Sequence, residues 1–409
     1  MHYLLVVLDG AADRPSSLLS GKTPLEAAQM KNLNKIARRS LAGMMYPVGE
    51  GIAPESDSAV FSILSYSIEN YTGRGPIEAL GAGMHIGKND IAMRANFATV
   101  DRKGNITSRR CHLSKREAKT LEKEINKIKV KGARIRFKAT VDYRGVLIIS
   151  SRKRLSSSIT NVDVAYIKKG NISIAVRSKR QKIPRSKPTE KTEEAMRTAR
   201  IVNEFVEKAM HVLSKSKVNE ERRKKGAEEA NAILLRDAGK SLPAVMPIGK
   251  KFGMDFCFIT EMPVERGIAK LLRMKEVRFD NDKKGVERYK ELAKAANKSI
   301  KRCDFVYVHI KGPDEPGHAG DAARKTEVLK EIDAGFFANI RPSKNVKVCV
   351  TCDHSTPCSM KAHSADPVPV IISSRSKHDT LDFNEKIDLK GSLGIFNGNE
   401  LINRILVIG

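Results

Sequence analysis

Three apolar runs constrain the fold of this chain more than any other feature: Tyr3–Leu8, Phe305–Ile310 and Val346–Thr351. Short continuous apolar runs bounded by turn residues are the pattern of strands buried on both faces of a parallel sheet. Each run ends in a polar tip. Asp9 follows the first, Asp314 and His318 the second, and Asp353 with His354 the third, with His363 shortly after. An open α/β sheet places its ligand site at the C-terminal ends of its strands. Carboxylates and imidazoles gathered there in this number point to bound metal rather than to a single acid/base pair.

At 409 residues and 41% hydrophobic content the chain is long enough for two domains with a sizeable core. Its formal net charge of +28 fits a nucleic-acid partner, an anionic membrane surface, or a solvated surface that attracts anionic substrates. Readers of single-stranded bases need aromatic side chains beside their basic ones. The densest basic runs, Arg177–Lys187 and Arg222–Lys225, contain none, so no nucleic-acid partner is expected. No segment approaches the ~18 apolar residues of a membrane helix. The first apolar run meets Asp9 too soon for a signal peptide. Cys349 and Cys352 have CxxC spacing, but residues three apart on a strand face opposite sides, and no second CxxC exists. The six cysteines are therefore expected as buried, reduced thiols of a cytoplasmic protein.

Patterning divides the chain. A helix opens at Thr23-Pro24 and runs past Leu33, Ile36 and Ala37; the loop Gly49–Pro54 leads to Ser56 at the head of a helical stretch. From about Ala92 the texture changes. Met93–Val100 reads as a strand, Ser114–Lys129 as an amphipathic helix, and Arg134–Thr140 with Arg144–Ser150 as antiparallel strands. A basic linker at Lys179–Glu194 overlaps the first of two helices, Glu190–Ser214 and Asn219–Arg236. Parallel-sheet texture returns with a strand at Asp255–Ile259. Helices near Val264–Leu272, Glu287–Arg302 and Asp321–Ile340 and strands at Pro369–Ser373 and Gly394–Phe396 complete it. The expected architecture is an α/β core built from residues 1–92 and 243–409, interrupted by an inserted α+β cap at 93–242.

The acidic and imidazole residues sort by position. Asp9, Asp353 and His354 sit at two strand tips and could hold one divalent cation. Asp314 and His318, four apart, share one face of a helical turn, and His363 could complete a second site. Mixed oxygen and nitrogen donors fit Mn²⁺ or Zn²⁺ better than Mg²⁺. Two cations ~4 Å apart clamp the attacking and leaving oxygens of a phosphoryl displacement. Ser56 is the candidate nucleophile. A serine hydroxyl needs activation, and no histidine lies near it in sequence, so a bridging cation is the consistent activator.

The segments LDG at Asp9, PESD at Ser56, YTGRGPIEALGAG, MRANFATVD, HIKGPDEPGH and TCDHSTPCSMKAHSADPVPV together resemble one family. It is the archaeal type of 2,3-bisphosphoglycerate-independent phosphoglycerate mutase, in the alkaline phosphatase superfamily. The resemblance runs through nearly the whole chain. It implies an alkaline-phosphatase-like sheet with helices on both faces, two divalent metal ions (Mn²⁺, Zn²⁺ or Mg²⁺) and no 2,3-bisphosphoglycerate cofactor. The implied reaction is the interconversion of 3- and 2-phosphoglycerate, in glycolysis and gluconeogenesis, through a phosphoserine. By motif match, Asp9, Ser56, Asp353 and His354 would bind one metal, and Asp314, His318 and His363 the other. Arg94, Asn96, Arg144, Asn231, Arg236 and Arg266 match substrate-binding positions.

The chain departs from the family pattern on the substrate side. Glu55 stands where a Gly precedes the nucleophile, and SRRCHLS, SSSITNVDV and RFDNDKKG replace family segments. A second reading keeps the metal chemistry but changes the acceptor, giving a phosphatase or another phosphotransferase. A third, a non-catalytic basic binding protein, conflicts with the intact Ser56 and ligand positions. The oligomeric state is open.

Overall fold

The computed structural model describes residues 1–176, 182–280 and 282–408. The chain forms two compact units: Met1–Tyr71, Ala244–Glu261 and Ile268–Gly409 make unit 1, and Thr72–Pro243 with Met262–Gly267 makes unit 2. The expected boundary at residue 92 thus lies at Tyr71, because helix Arg74–Gly81 packs on the unit 2 strands Asp90–Val100 and Ala232–Gly239.

Unit 1 holds an eight-stranded sheet. Its order is Lys275–Glu276, Phe256–Ile259, Phe305–Ile310, His2–Leu8, Val346–Cys352, Val368–Ser373, Ser40–Tyr46 and Ile395–Asn397. The first five strands run parallel. Leu8 lies opposite both Ile310 and Cys352, so Asp9, Lys311 and Asp353 leave the three central strands in one row. Leu4–Leu8 and all of Phe305–Ile310 are buried, as strands covered on both faces must be.

Several elements differ from the sequence expectation. Strand Val368–Ser373 runs antiparallel to both neighbours, and one of these, Ser40–Tyr46, had no signal in its small residues. The helix expected from Thr23 to Ala37 is two, Pro24–Ala28 and Lys31–Ala37, separated where Gln29 adopts a φ of 46°. The helix Ala322–Ile332 ends in one π turn, Asp333–Phe337. Cys257 and Cys303 are joined as a disulfide, against the expectation of six thiols; Cys111, Cys349, Cys352 and Cys358 are free and buried. The bridge forms because Cys257 lies in a strand beside Phe305–Ile310 and Cys303 just precedes that strand, bringing their Cα atoms to 6.0 Å.

Unit 2 is built on the long strand Asp90–Val100, which pairs antiparallel with Arg144–Ser150 on one side and Ala232–Gly239 on the other. Its alternation divides two faces. Ile91, Met93, Ala95 and Phe97 join a core with Leu121, Ile125, Val202 and Phe205 of helices Lys115–Ile125 and Glu193–Ser214. Ala92, Arg94, Asn96 and Ala98 take the other face. The helix expected over Asn219–Arg236 is confined to Lys217–Lys224, and Ala232–Gly239 is a fully buried strand. Ladder bonds to Asp90–Val100 override the helical propensity of the local Ala, Leu and Glu residues. The basic linker lies partly outside the described residues.

Candidate metal centre

His318 follows Asp314 by one turn on helix Asp314–Ala319. Its Nε2 lies 3.1 Å from Nε2 of His363, and the two nitrogens are 3.5 and 3.4 Å from Asp314 Oδ1. The opposite ring nitrogens settle the tautomers. Nδ1 of His318 faces the Lys361 carbonyl at 3.1 Å, and Nδ1 of His363 faces the Pro54 carbonyl at 2.7 Å. A carbonyl only accepts, so in each neutral ring Nδ1 carries the proton and Nε2 presents a lone pair. Two lone pairs and a carboxylate then converge on one point, an arrangement that calls for a cation. Burial alone would raise the Asp314 pKa; with no cation bound, the positive charge that His318 and His363 carry when protonated outweighs it and holds the carboxyl well below its ordinary range.

A second cluster adjoins this one. Thr356 donates its hydroxyl proton to Asp314 Oδ1 at 2.8 Å, so at 3.0 Å it can only accept from Nδ1 of His354. His354 Nε2 is thereby left as a lone pair, 3.1 Å from Ser56 Oγ, 3.4 Å from Asp353 Oδ2 and 3.6 Å from Asp9 Oδ1. Asp353 Oδ1 accepts from the Gly10 amide at 3.0 Å, whereas the buried Oδ2 has no hydrogen-bond partner among the described residues. An undonated carboxylate oxygen in the interior costs several kcal/mol unless a cation compensates it. Burial, reinforced by the charge of Asp9, raises the Asp353 pKa. At Asp9 burial is outweighed by Lys311, His309 and His354, which hold its carboxyl well below the usual range. The donors present therefore fit divalent cations.

Two contributors escaped the sequence reading. His309 looked like core or supporting structure inside an apolar strand, yet its Nε2 stands 3.7 Å from both Asp9 Oδ1 and Asp353 Oδ2. Its Nδ1 meets the Tyr307 hydroxyl at 2.7 Å. Asp9, His309 and Asp353 form one group able to hold a metal, and Asp314, His318 and His363 another. Lys311 Nζ lies 3.1 Å from Asp9 Oδ1. The available signal was an imidazole two residues before Lys311 on a strand otherwise wholly apolar or aromatic.

Ser56 opens helix Ser56–Ile63 behind an extended Glu55, so its hydroxyl sits at a helix N-terminus where free amides favour anions. The Tyr71 hydroxyl donates to Asp57 and fixes that neighbouring carboxylate. Glu55 Oε1 is 4.0 Å from His363 Nδ1.

In unit 2 the expected substrate residues divide. Arg94 and Asn96 are two apart on one face; Arg236 lies opposite Arg94 on one neighbouring strand and Arg144 opposite Asn96 on the other. All four side chains therefore share a face. Glu78 is 3.7 Å from Arg94 and 3.1 Å from Arg74, and Arg236 lies over the Tyr166 ring at 3.4 Å. Burial, with Arg74, Arg236 and Arg144 nearby, depresses the Arg94 pKa to about 10. Arg94 Nε and Arg144 Nε are buried without hydrogen-bond partners among the described residues, as donors awaiting an anionic ligand would be, and the equally unpartnered Asn96 Oδ1 beside them can accept only from a donor such as a ligand hydroxyl. Asn231 does not join them. Its amide exchanges two hydrogen bonds with the Val100 backbone, 2.8 and 2.9 Å, and fastens the strand pair. Arg266 lies on helix Pro263–Leu271, which crosses helix Arg74–Gly81 where a Cβ on Gly81 or Gly267 would strike opposing backbone at 1.6 and 1.9 Å.

Comparison with known proteins bears on the whole chain. A family model described as 2,3-bisphosphoglycerate-independent phosphoglycerate mutase matches residues 37–219. The sequence is 40% identical to the mutase of that name from Aeropyrum pernix, covering 99% of each chain. It is 36% identical to mutase 1 of Methanocaldococcus jannaschii over 98% of this chain and 96% of the relative. The structure of a cofactor-independent phosphoglycerate mutase from Thermoplasma acidophilum aligns over 99% of both chains at 30% identity with a TM-score of 0.59. A Pyrococcus horikoshii protein aligns at TM-score 0.77 and 28% identity, over 99% of this chain and 96% of its own. Identity of this extent over the full length shows common descent of the whole protein and not of a sheet alone: the chain belongs to the 2,3-bisphosphoglycerate-independent phosphoglycerate mutases.

Proposed function

We propose that this protein interconverts 3-phosphoglycerate and 2-phosphoglycerate through a phosphoserine at Ser56, without 2,3-bisphosphoglycerate. One observation carries the reading. Ser56 Oγ stands 3.1 Å from His354 Nε2 at the head of a helix, beside two converging donor groups. Asp9, Ser56, Asp353 and His354 would hold one divalent cation, with His309 at hand, and Asp314, His318 and His363 the other. Mn²⁺ and Zn²⁺ both suit the mixed donors better than Mg²⁺, and of the two we propose Mn²⁺ as the working ion. When bound, the cations supply positive charge that lowers the Ser56 hydroxyl pKa and neutralises the phosphoryl oxygens.

Ser56 Oγ attacks phosphorus, the bond to O3 breaks, and the proton from Ser56 ends on O3 of the released glycerate. The 2-hydroxyl of the same glycerate then attacks the phosphoserine, the Oγ–phosphorus bond breaks, and its proton returns to Ser56. Atoms balance without a second substrate. The glycerate must be retained between the two steps. Arg94, Arg144, Arg236 and Arg266 have the charge and fork geometry to hold its carboxylate and phosphate, and the inserted segment takes the part of the cap. Among the described residues no helix is long and apolar enough to cross a membrane, and a small metabolite substrate is consistent with a cytoplasmic enzyme.

The test uses metal-depleted protein reloaded with Mn²⁺, Zn²⁺ or Mg²⁺ and given 3-phosphoglycerate, with 2-phosphoglycerate and free phosphate followed together. We expect 2-phosphoglycerate with little phosphate, a phosphoryl adduct on Ser56 by peptide mass analysis, and neither in Ser56→Ala. Phosphate without 2-phosphoglycerate would instead identify a phosphatase. Undiminished turnover in Ser56→Ala would refute the nucleophile.

A further inference from the structure

The net charge has no part in that reaction, and it is unevenly distributed. Unit 2 carries 42 Lys and Arg against 19 Asp and Glu, whereas unit 1 carries 33 against 28. Some of the unit 2 cations are paired, as in Arg109–Asp163 at 3.0 Å, Arg136–Asp90 at 2.8 Å, Arg222–Glu117 at 2.8 Å and Arg223–Glu229 at 2.7 Å. One concave face gathers several that are not. Two cavities of about 730 and 830 Å³ open there and share Arg152 in their linings. Lys131, Arg134 and Lys153 line the first, and Lys88 and Lys240 the second. Arg134 lies opposite Ser150 at the end of an edge strand pair, which sets it beside the Arg152 turn. Neither lining contains an acidic or an aromatic residue. None of these six side chains makes an ion pair or hydrogen bond among the described residues.

Like charges collected on a concave face repel one another and weaken the fold unless an anion occupies it. Arg197, also in the first lining, is the exception, paired with Glu193 at 3.3 Å. Two adjoining cavities lined mainly by unpaired cations suit phosphates in series better than a single phosphate. Without aromatic rings the face cannot stack bases, but contacts to the sugar–phosphate backbone need none. That limits the earlier argument from missing aromatics to proteins that read bases. The only large apolar residues in the linings, Ile86, Leu242 and Ile201, are buried or half-buried, which disfavours insertion into a bilayer. We infer that this face of unit 2 binds the phosphodiester backbone of nucleic acid without reading its sequence.

Fluorescence anisotropy of the full-length protein with two labelled DNA duplexes of unrelated sequence tests this. Both should bind equally. With about five phosphates engaged, log affinity should fall against log salt with a slope of about −4 to −5. The triple variant Arg134→Glu, Arg152→Glu, Lys153→Glu should lose at least tenfold in affinity without any fall in the thermal midpoint, since relieving the repulsion can only raise it. The control Lys119→Glu, Lys123→Glu, Lys127→Glu carries the same charge change on the exposed face of helix Lys115–Ile125 and the turn after it, and should stay within about twofold. Phosphoglycerate interconversion should be unchanged in both. No anisotropy change at low salt, equal losses in the two triples, or a strong preference between the duplexes would each overturn the inference. So would binding to phosphatidylserine vesicles but not to DNA.

Discussion

Lys325 is the most consequential residue of unit 1 outside the donor clusters, and its removal offers a quantitative test. The side chain is fully buried, and its ammonium donates to Asp13 Oδ2 at 2.8 Å, Thr356 O at 2.9 Å and Ala12 O at 3.1 Å. Lys325→Met keeps most of the stem and deletes the charge. The buried Asp13 carboxyl would lose its ammonium partner, though it would not be bare, since the amides of Arg14 and Cys358 also donate to it. Breaking one side of a buried pair costs about 3–5 kcal/mol, and those amides place the expected loss near 3. For a unit of this size that lowers the thermal midpoint by about 6–12 °C. Thr356 also sets the tautomer of His354 and bonds Asp314, so metal affinity should fall with stability. Differential scanning calorimetry of metal-free Lys325→Met and of the double variant Lys325→Met, Asp13→Asn measures the stability, and titration of the same proteins with Mn²⁺ measures the affinity. The double variant should recover a good part of the loss, because the unpaired charge is gone. A single variant within 1–2 °C of wild type, or a double variant less stable than the single, would refute the reasoning.

Three further outcomes follow from the same geometry. His309→Gln should weaken Mn²⁺ binding by about 10- to 100-fold in isothermal titration calorimetry while leaving the circular dichroism spectrum intact; unchanged affinity would remove His309 from the metal group. Glu385 accepts from Thr23 Oγ1 and the Asp13 amide, and burial raises its pKa to about 7. Its neutral form is favoured in the folded state, so stability should fall as pH rises from about 4.5 to 7, by up to about 3 kcal/mol, and then level off. Denaturant titrations across that range should show this slope in wild type and its loss in Glu385→Gln. Arg94→Ala should raise KM for 3-phosphoglycerate and lower kcat/KM by at least tenfold without changing metal content; equal kinetics would exclude Arg94 from substrate binding.

The parallel sheet was legible because strands covered on both faces must be apolar throughout, and their polar tips stand out against that background. Asp9, Asp314 and Asp353 were found this way, and the four-residue spacing of Asp314 and His318 placed both on one helical face. Local pattern failed where pairing partners lie far apart in sequence. Ala232–Gly239 looked helical until its ladder to Asp90–Val100 was seen, and that same ladder is what sets Arg236 opposite Arg94. His309 was hidden because alternation within a strand reports burial and not what the buried atom faces.

What the sequence determined by itself was therefore the chemistry available: which residues carry donors, which strands lie in the interior, and where a nucleophile heads a helix. Only the tertiary structure decided the proton positions on the histidines, the exclusion of Asn231 from the arginine face, and the concentration of unpaired cations on one surface. Each of these depends on distances between segments remote in the chain, and no local periodicity encodes such distances.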